Sequence, residues 1–546
     1  MLGAIIGDIV GSRFERNNCK GKEFDFFDEQ CQPTDDSIMT LAVAKAIMET
    51  EKQIKPAVSG FGFDIKYDAL LSQLTIKYMQ ELGRLYPDSG YGNKFKAWIH
   101  SEKPRPYESI GNGAAMRISP AGLAARTEAE AISLSRVITE VSHNSEEGLM
   151  GAEAVAVAIF MANQGYLKND IRNRIALNYY PLDFTIDEIR PDYQFSATCQ
   201  GTVPQAIECF LESNSYEDAV RLAISLGGDS DTIAAIAGSI AGAYYGIPED
   251  IRAFALSYLD DDLRLIAAKW DEFIGETTEE FKFLTKYIGK LADVDRFDQV
   301  ADQAENDWLF DDGEEDEDPE DDEELPTAAN GGLVSSFIEE VYQFSEAHPE
   351  YEMNNYETII KKCDQETTER PIDSSQPSQC GANYILALIS QAIQTGSDNE
   401  ETVLEYFRNG TMLNWLKQLK DIDWQSSSRK LREIYLEIGK IEDTVAYSIV
   451  VEDEEASLYK YKILDGPSTA SLYLKMAADS LFSDWHEIKT HYWEMDYPNK
   501  IWPLVYDADQ WLLFVRYEGL RGEKYEGDNN YPENWDKLLS LFRIEN

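Results

Sequence analysis

The sequence predicts an all-α N-terminal region and, beyond an acidic spacer, an α+β module. Three observations lead there. Apolar residues keep helical spacing as far as about residue 290, and a long acidic stretch without Lys or Arg follows. Segments rich in Val, Ile, Tyr and Trp with strand-like character are confined to the far end.

In the first region Ser37 to Met48 places Ile38, Leu41, Ala42 and Ala46 on one helical face. Arg126 to Val141, Glu146 to Ala162, Val203 to Leu211 and Tyr216 to Leu226 repeat that pattern. Thr232 to Tyr245 is almost wholly Ala, Gly, Ile and Ser, a composition that lets a helix lie close to its neighbours at some cost in propensity. From Phe297 to Ile360 there is no Lys or Arg, and between Asp311 and Glu324 only Gly313 and Pro319 are not acidic. Like charges repel and extend a chain, so residues 296–332 read as a solvated linker. Beyond it Leu333 to Phe344, Ala382 to Ile393, Glu400 to Phe407 and Ser428 to Gly439 read as helices. Thr444 to Val451, Leu458 to Leu464, Ile501 to Tyr506 and Trp511 to Tyr517 read as strands. The expected divisions are therefore 1–295, 296–332, a helical subdomain over 333–440 and an α+β domain over 441–546.

A chain of 546 residues exceeds what one core usually serves, and 43% hydrophobic with 12% aromatic residues is ample for sizeable cores. The 100 acidic against 49 basic residues give a formal charge of -51, which argues against nucleic acid or anionic lipid as a partner. Six scattered cysteines without C-x-x-C spacing read as reduced thiols. Met1 to Val10 lacks the basic start of a signal peptide, and no run of about 18 apolar residues could cross a bilayer. The expectation is a cytoplasmic protein.

Two acidic clusters carry chemistry. Thr34-Asp35-Asp36 precedes one amphipathic helix, and Asp229-Ser230-Asp231-Thr232 opens the small-residue helix. Either alone reads as an N-cap, since Asp, Ser and Thr cap helices and acids there suit the macrodipole. A cap needs one carboxylate, however, and each cluster supplies two and a hydroxyl. Four carboxylates and two hydroxyls form an oxygen set suited to Mg²⁺ or Mn²⁺, provided the clusters meet in space. Gly7-Asp8-Ile9-Val10-Gly11-Ser12-Arg13-Phe14-Glu15 reads as a helical segment whose two acids, Asp8 and Glu15, would share a face and lie exposed. Ser109-Ile110-Gly111-Asn112-Gly113 offers backbone amides that could cradle a diphosphate, although G-N-G also marks an ordinary turn. Ser142-His143-Asn144 sits between two helices, where a lone His is more often structural. Trp485, His486, His491 and Trp493 read as the edge of a small core rather than a metal site.

In combination these pieces resemble the ADP-ribosylglycohydrolase family, which includes the enzyme that reactivates dinitrogenase reductase. GDIVGSRFE, PTDDSIMTLA, GNGAAMR, SHNSEEG and LGGDSDTIAAIAGSIAGAYYGIP follow the family's order over residues 1 to about 280, in the manner of its bacterial branch. The resemblance implies a compact orthogonal helix bundle with a catalytic domain in 1–295. It implies two divalent cations, Mg²⁺ or Mn²⁺, held by Thr34, Asp35, Asp36, Asp229, Asp231 and Thr232. Catalytic roles fall to Glu15, Asp35 and Asp36, with the general base left open among them. Ser109, Gly111, Asn112, Gly113 and His143 match ADP-ribose-binding segments, and Tyr258 matches an adenine-stacking aromatic less closely. The implied reaction is hydrolysis at ribose C1 of an ADP-ribosylated protein or small molecule, with arginine-linked substrate favoured. The rival reading is a non-catalytic ADP-ribose binder or scaffold of the same fold, with residues 333–546 available to a protein partner.

Overall fold

The structure, a computed structural model, describes residues 1–54, 60–275, 281–288, 328–366, 381–395, 405–426, 430–439, 444–452, 455–462, 471–490, 496–497, 510–518, 520–528 and 530–544. The acidic run, the strand expected over Ile501 to Tyr506, and His491 and Trp493 lie outside these residues.

The N-terminal region is helical, in agreement with the sequence. Its helices are α1 (Leu2–Gly11), α2 (Asp35–Gln53), α3 (Gly60–Leu85), α4 (Asn93–Ile99), α5 (Ser119–Ala124), α6 (Glu128–Glu140) and α7 (Glu146–Asn163). They continue as α8 (Lys168–Asn178), α9 (Ile186–Ile189), α10 (Val203–Glu212), α11 (Tyr216–Leu226), α12 (Ser230–Tyr245), α13 (Glu249–Leu256) and α14 (Asp261–Ile274). The pairing of α1 with α12 sets the architecture. A Cβ on Gly3 would lie 2.3 Å from the Gly238 carbonyl oxygen, one on Gly7 2.0 Å from that of Ala234, and one on Gly11 2.6 Å from Asp231 Cα. Ascending positions on α1 thus meet descending positions on α12, and the backbones touch because no side chain intervenes. The antiparallel contact brings Asp8 and the end of α1 beside the start of α12.

The second half carries one sheet in the order β4-β3-β2-β1-β6-β7-β5. Its strands are β1 (Leu431–Gly439), β2 (Val445–Glu452), β3 (Glu455–Lys462), β4 (Ser471–Ala477), β5 (Asp496–Tyr497), β6 (Gln510–Tyr517) and β7 (Glu523–Asp528). Pairing is antiparallel except between the two-residue β5 and β7. The helix expected over Ser428 to Gly439 is corrected to the central strand β1. Leu431, Ile434, Tyr435 and Ile438 carry helical spacing, but four consecutive residues, Ile434 to Glu437, are buried. A strand covered on both faces loses the alternation that would identify it.

The chain divides into two compact units, which cut across the boundaries expected at 295, 332 and 440. One comprises 1–163, 168–277 and 428–546, and the other 164–167 with 278–427. In the first unit the sheet shares an interior with the helices, since Tyr435, Ala446 and Phe514 belong to the same buried cluster as Ile5, Ile38 and Leu226. Arginines secure that contact. Arg521 donates from its backbone to Phe273 O (2.7 Å), and its guanidinium reaches the carbonyls of Leu123, Ala124 and Ala125 at the end of α5. The buried Arg126 donates to Gly522 O (2.9 Å) and pairs with Glu51 (2.7 Å) and Glu130. Arg516 donates to Ile54 O (2.6 Å), just past α2.

The second unit has its own core, in which Phe281, Phe337, Ile385, Trp415 and Leu416 are buried, and an internal ion pair, Lys286–Glu340 at 2.7 Å. Among the described residues no helix is long and apolar enough to cross a membrane.

Candidate functional site

Three segments distant in sequence deliver a buried carboxylate cluster. Asp8 is fully buried, which corrects the expectation of an exposed acid. Its Oδ2 accepts from the backbone of Thr34 (2.8 Å) and of Ser37 (3.1 Å), and from the Ser37 hydroxyl. Its Oδ1 accepts from the Thr34 hydroxyl (2.6 Å). The first turn of α2 is thus bolted to α1, with the partial positive charge of the helix start facing Asp8. Thr34 also acts as the N-cap of α2, its Oγ1 accepting from Asp36 N. Asp229 stands at the N-cap of α12 but makes no capping bond. Its carboxylate instead accepts from Asn112 Nδ2 (2.7 Å). Simple capping does not account for that orientation.

The clusters meet. Thr232 Oγ1 donates to Asp36 Oδ2 at 3.3 Å, and one carboxylate oxygen each from Asp8, Asp36 and Asp231 lie within 4.8 Å of one another. The sequence reading left Asp8 out of the cation-binding set. Its signal was local: an acid inside the apolar run Ala4 to Val10, flanked by the glycines that seat α1 on α12. Burial raises the carboxyl pKa values, and repulsion by neighbouring carboxylates comes next at Asp35, Asp36 and Asp231. Asp8 is pushed up to about 6 by burial against the pull of its four hydrogen bonds. Asp35 is pushed up to about 7 by burial and by the charges of Asp8, Asp229 and Glu15. Asp36, Asp231 and Asp229 are raised as well, burial coming first in each. Asp36 Oδ1 is buried and has no hydrogen-bond partner among the described residues. A lone buried carboxylate oxygen among like charges is what a divalent cation would satisfy, so the residues fit one. Glu15 follows the 3-10 turn after α1 and is half-buried, and its charge acts on Asp35, Asp229 and Asp231.

The glycine loop adjoins the cluster through Asn112, whose Nδ2 also donates to Thr202 Oγ1 (3.1 Å) and whose backbone donates to Ala197 O (2.9 Å). Ser109 Oγ accepts from Gly111 N (3.2 Å), and Ser145 Oγ donates to Ser109 O (2.6 Å). His143 is buried beside this loop, its Nε2 3.4 Å from where a Cβ on Gly113 would stand. Tyr258 is placed differently. Its ring stacks on Phe27 (5.8 Å, 21°), its hydroxyl donates to Asp28 O (2.9 Å), and none of its described contacts joins it to the carboxylates.

Comparison with known proteins bears on this arrangement. The model of the family described as ADP-ribosylglycohydrolase matches residues 1–280. The ADP-ribosylhydrolase ARH3 of Homo sapiens is 25% identical over 342 residues, covering 48% of this chain and 90% of that protein. That of Mus musculus is 25% identical over 325 residues, covering 46% and 83%. The ADP-ribosylarginine hydrolase Tri1 of Pseudomonas putida is 28% identical over 146 residues, covering 26% of this chain and 39% of that protein. A solved structure titled ADP-ribosylglycohydrolase-related protein complex aligns at 22% identity with a TM-score of 0.36, covering 49% of this chain and 93% of that one. Since the family model spans half of the sequence and takes in Asp8, Thr34 to Asp36, the glycine loop and Asp229 to Thr232, the chain belongs to the ADP-ribosylglycohydrolase family.

Proposed function

We propose that the first unit hydrolyses the glycosidic bond at ribose C1 of an ADP-ribosylated protein or small molecule, releasing ADP-ribose. The observation that carries this reading is the buried meeting of Asp8, Asp36 and Asp231, with Asp36 Oδ1 unsatisfied. Thr34, Asp35, Asp36, Asp229, Asp231 and Thr232 would hold two divalent cations, Mg²⁺ or Mn²⁺. Such ions supply Lewis acidity and a grip on the ribose hydroxyls.

The chain's own groups do the rest. Asp8 fixes the start of α2, and with it the direction of Asp35 and Asp36. Asn112 ties Asp229 to the loop of Ser109, Gly111 and Gly113, whose amides suit a diphosphate. The bond at C1 breaks with positive charge growing on the sugar, and the surrounding carboxylates favour that charge. A carboxylate takes one proton from the attacking water as its oxygen joins C1, and the departing group receives a proton. Asp35 and Glu15 are half-buried and open to this role, whereas Asp36 is enclosed.

Arginine-linked ADP-ribose is the substrate we place first, with serine-linked second. The test is release of free ADP-ribose from arginine-linked and serine-linked peptides, with EDTA and after return of Mg²⁺ or Mn²⁺. Release that EDTA stops and the ions restore supports the reading. Binding of ADP-ribose without turnover on any substrate would favour the scaffold alternative, and EDTA-insensitive release would overturn the cation assignment.

A further inference from the structure

Arg117 is among the largest fully buried side chains, and among the described residues no carboxylate forms a salt bridge with it. Its Nη2 donates to Ser142 Oγ (2.6 Å) and stands 3.2 Å from His143 Nδ1, while Ser142 Oγ lies 2.9 Å from the same nitrogen. The guanidinium also sits over the Phe95 ring, 5.2 Å from its centroid. A guanidinium has donors only, so the 3.2 Å contact is a hydrogen bond only when Nδ1 presents its lone pair, with the Ser142 hydroxyl also able to donate there. The imidazole, kept neutral by burial and by the neighbouring positive charge, therefore carries its proton on Nε2. Among the described residues Nε2 has no hydrogen-bond partner. It faces the loop at Gly111 and Gly113, where absent side chains leave it uncovered, since Cβ atoms there would stand 3.7 and 3.4 Å away.

We infer that Arg117 is a positioning residue: it locks His143 in the Nε2–H form and so aims one donor at an anionic oxygen bound over the Gly111–Gly113 loop. The ligand class is a phosphate or diphosphate ester. Arg117 itself is fully enclosed behind the ring, so its part is to orient His143 rather than to touch the ligand. Resting on the proposed function, the inference identifies that oxygen as part of the ADP-ribose diphosphate.

The tautomer is read without any substrate. Long-range ¹H–¹⁵N spectra of the intact protein with labelled histidine resolve the five histidines, and H143Q assigns the signal. The wild type should show His143 as the Nε2–H form. Arg117→Met should mix the two forms, and Arg117→Lys, which retains a donor, should restore the first. In a titration with ADP-ribose, H143Q should weaken binding about tenfold for one lost hydrogen bond to a charged oxygen, and R117M by the smaller factor set by the share of the Nε2–H form it loses, about twofold for an even mixture. If turnover is found, KM should rise more than kcat falls. A wild-type signal of the Nδ1–H form overturns the inference even if no variant folds, and so does an unchanged tautomer in R117M. A correct tautomer with no ADP-ribose binding by the wild type would instead sink the assignment of the ligand and leave the lock standing.

Discussion

Removing divalent cations should make the stability of the first unit fall as pH rises. Four buried aspartates and the half-buried Asp35 crowd together there, and the fully enclosed Asp8 is pushed up to about 6 from 3.8. A carboxyl whose pKa is raised by folding favours the folded state most when protonated. Its contribution is fully present below the unfolded pKa and is lost as pH climbs through the folded one. For Asp8 the window runs from about pH 4 to 6, and Asp35, pushed up to about 7, extends it. A shift of roughly 2 units corresponds to about 3 kcal/mol for Asp8 alone. The assay is thermal unfolding in EDTA at about pH 5 and about pH 8, with and without millimolar Mg²⁺. Cation-free protein should melt lower at the higher pH, and Mg²⁺ should stabilise it more there. Because the whole chain is strongly acidic, D36N is the control. It should flatten the pH slope in EDTA and blunt the response to Mg²⁺. A variant with the wild-type slope and cation response would refute the reasoning.

Asp231→Asn and Asp35→Asn should each lower turnover by about 10³ or more and weaken Mg²⁺ binding, read by ADP-ribose release and calorimetry. Gly7→Ala puts a Cβ about 2.0 Å from the Ala234 carbonyl oxygen, a clash with backbone. It should cost about 3 kcal/mol or prevent folding, and in circular dichroism a melt equal to wild type would contradict the α1–α12 contact. R126M strands Glu51 in a buried position and should cost about 3–5 kcal/mol in denaturant titration. Adding E51Q should recover much of that loss, and a single variant costing less than about 1 kcal/mol would show that the ion pair is slack.

What the sequence disclosed was what lies close together along it. Thr34 to Asp36 and Asp229 to Thr232 are each short, and each carries more acid than a helix start requires. Asp8 escaped because its burial depends on α12, more than 200 residues away. A single acid in an apolar helix looks like an exposed one until its partner helix is known. Strand β1 was misjudged for a related reason, since Ile434 to Glu437 are covered from both sides and mimic a helical stripe. The arginine contacts of the sheet were invisible. Nothing in the neighbourhood of Arg521 or Arg126 announces that they meet across the fold. Arg117 lies within GNGAAMR, but its contact with His143 exists only where the two loops approach.

The sheet that shares an interior with the N-terminal helices makes their completion a matter of timing. On the ribosome, residues 1–277 emerge roughly 150 positions before β1, a wait of about 8–30 s at 5–20 residues per second. Throughout that interval the surface destined for Tyr435, Ala446 and Phe514 faces water, and the α5 carbonyls await Arg521. The nascent protein must either be sheltered by a chaperone or tolerate a half-built first unit until residues 431–528 arrive.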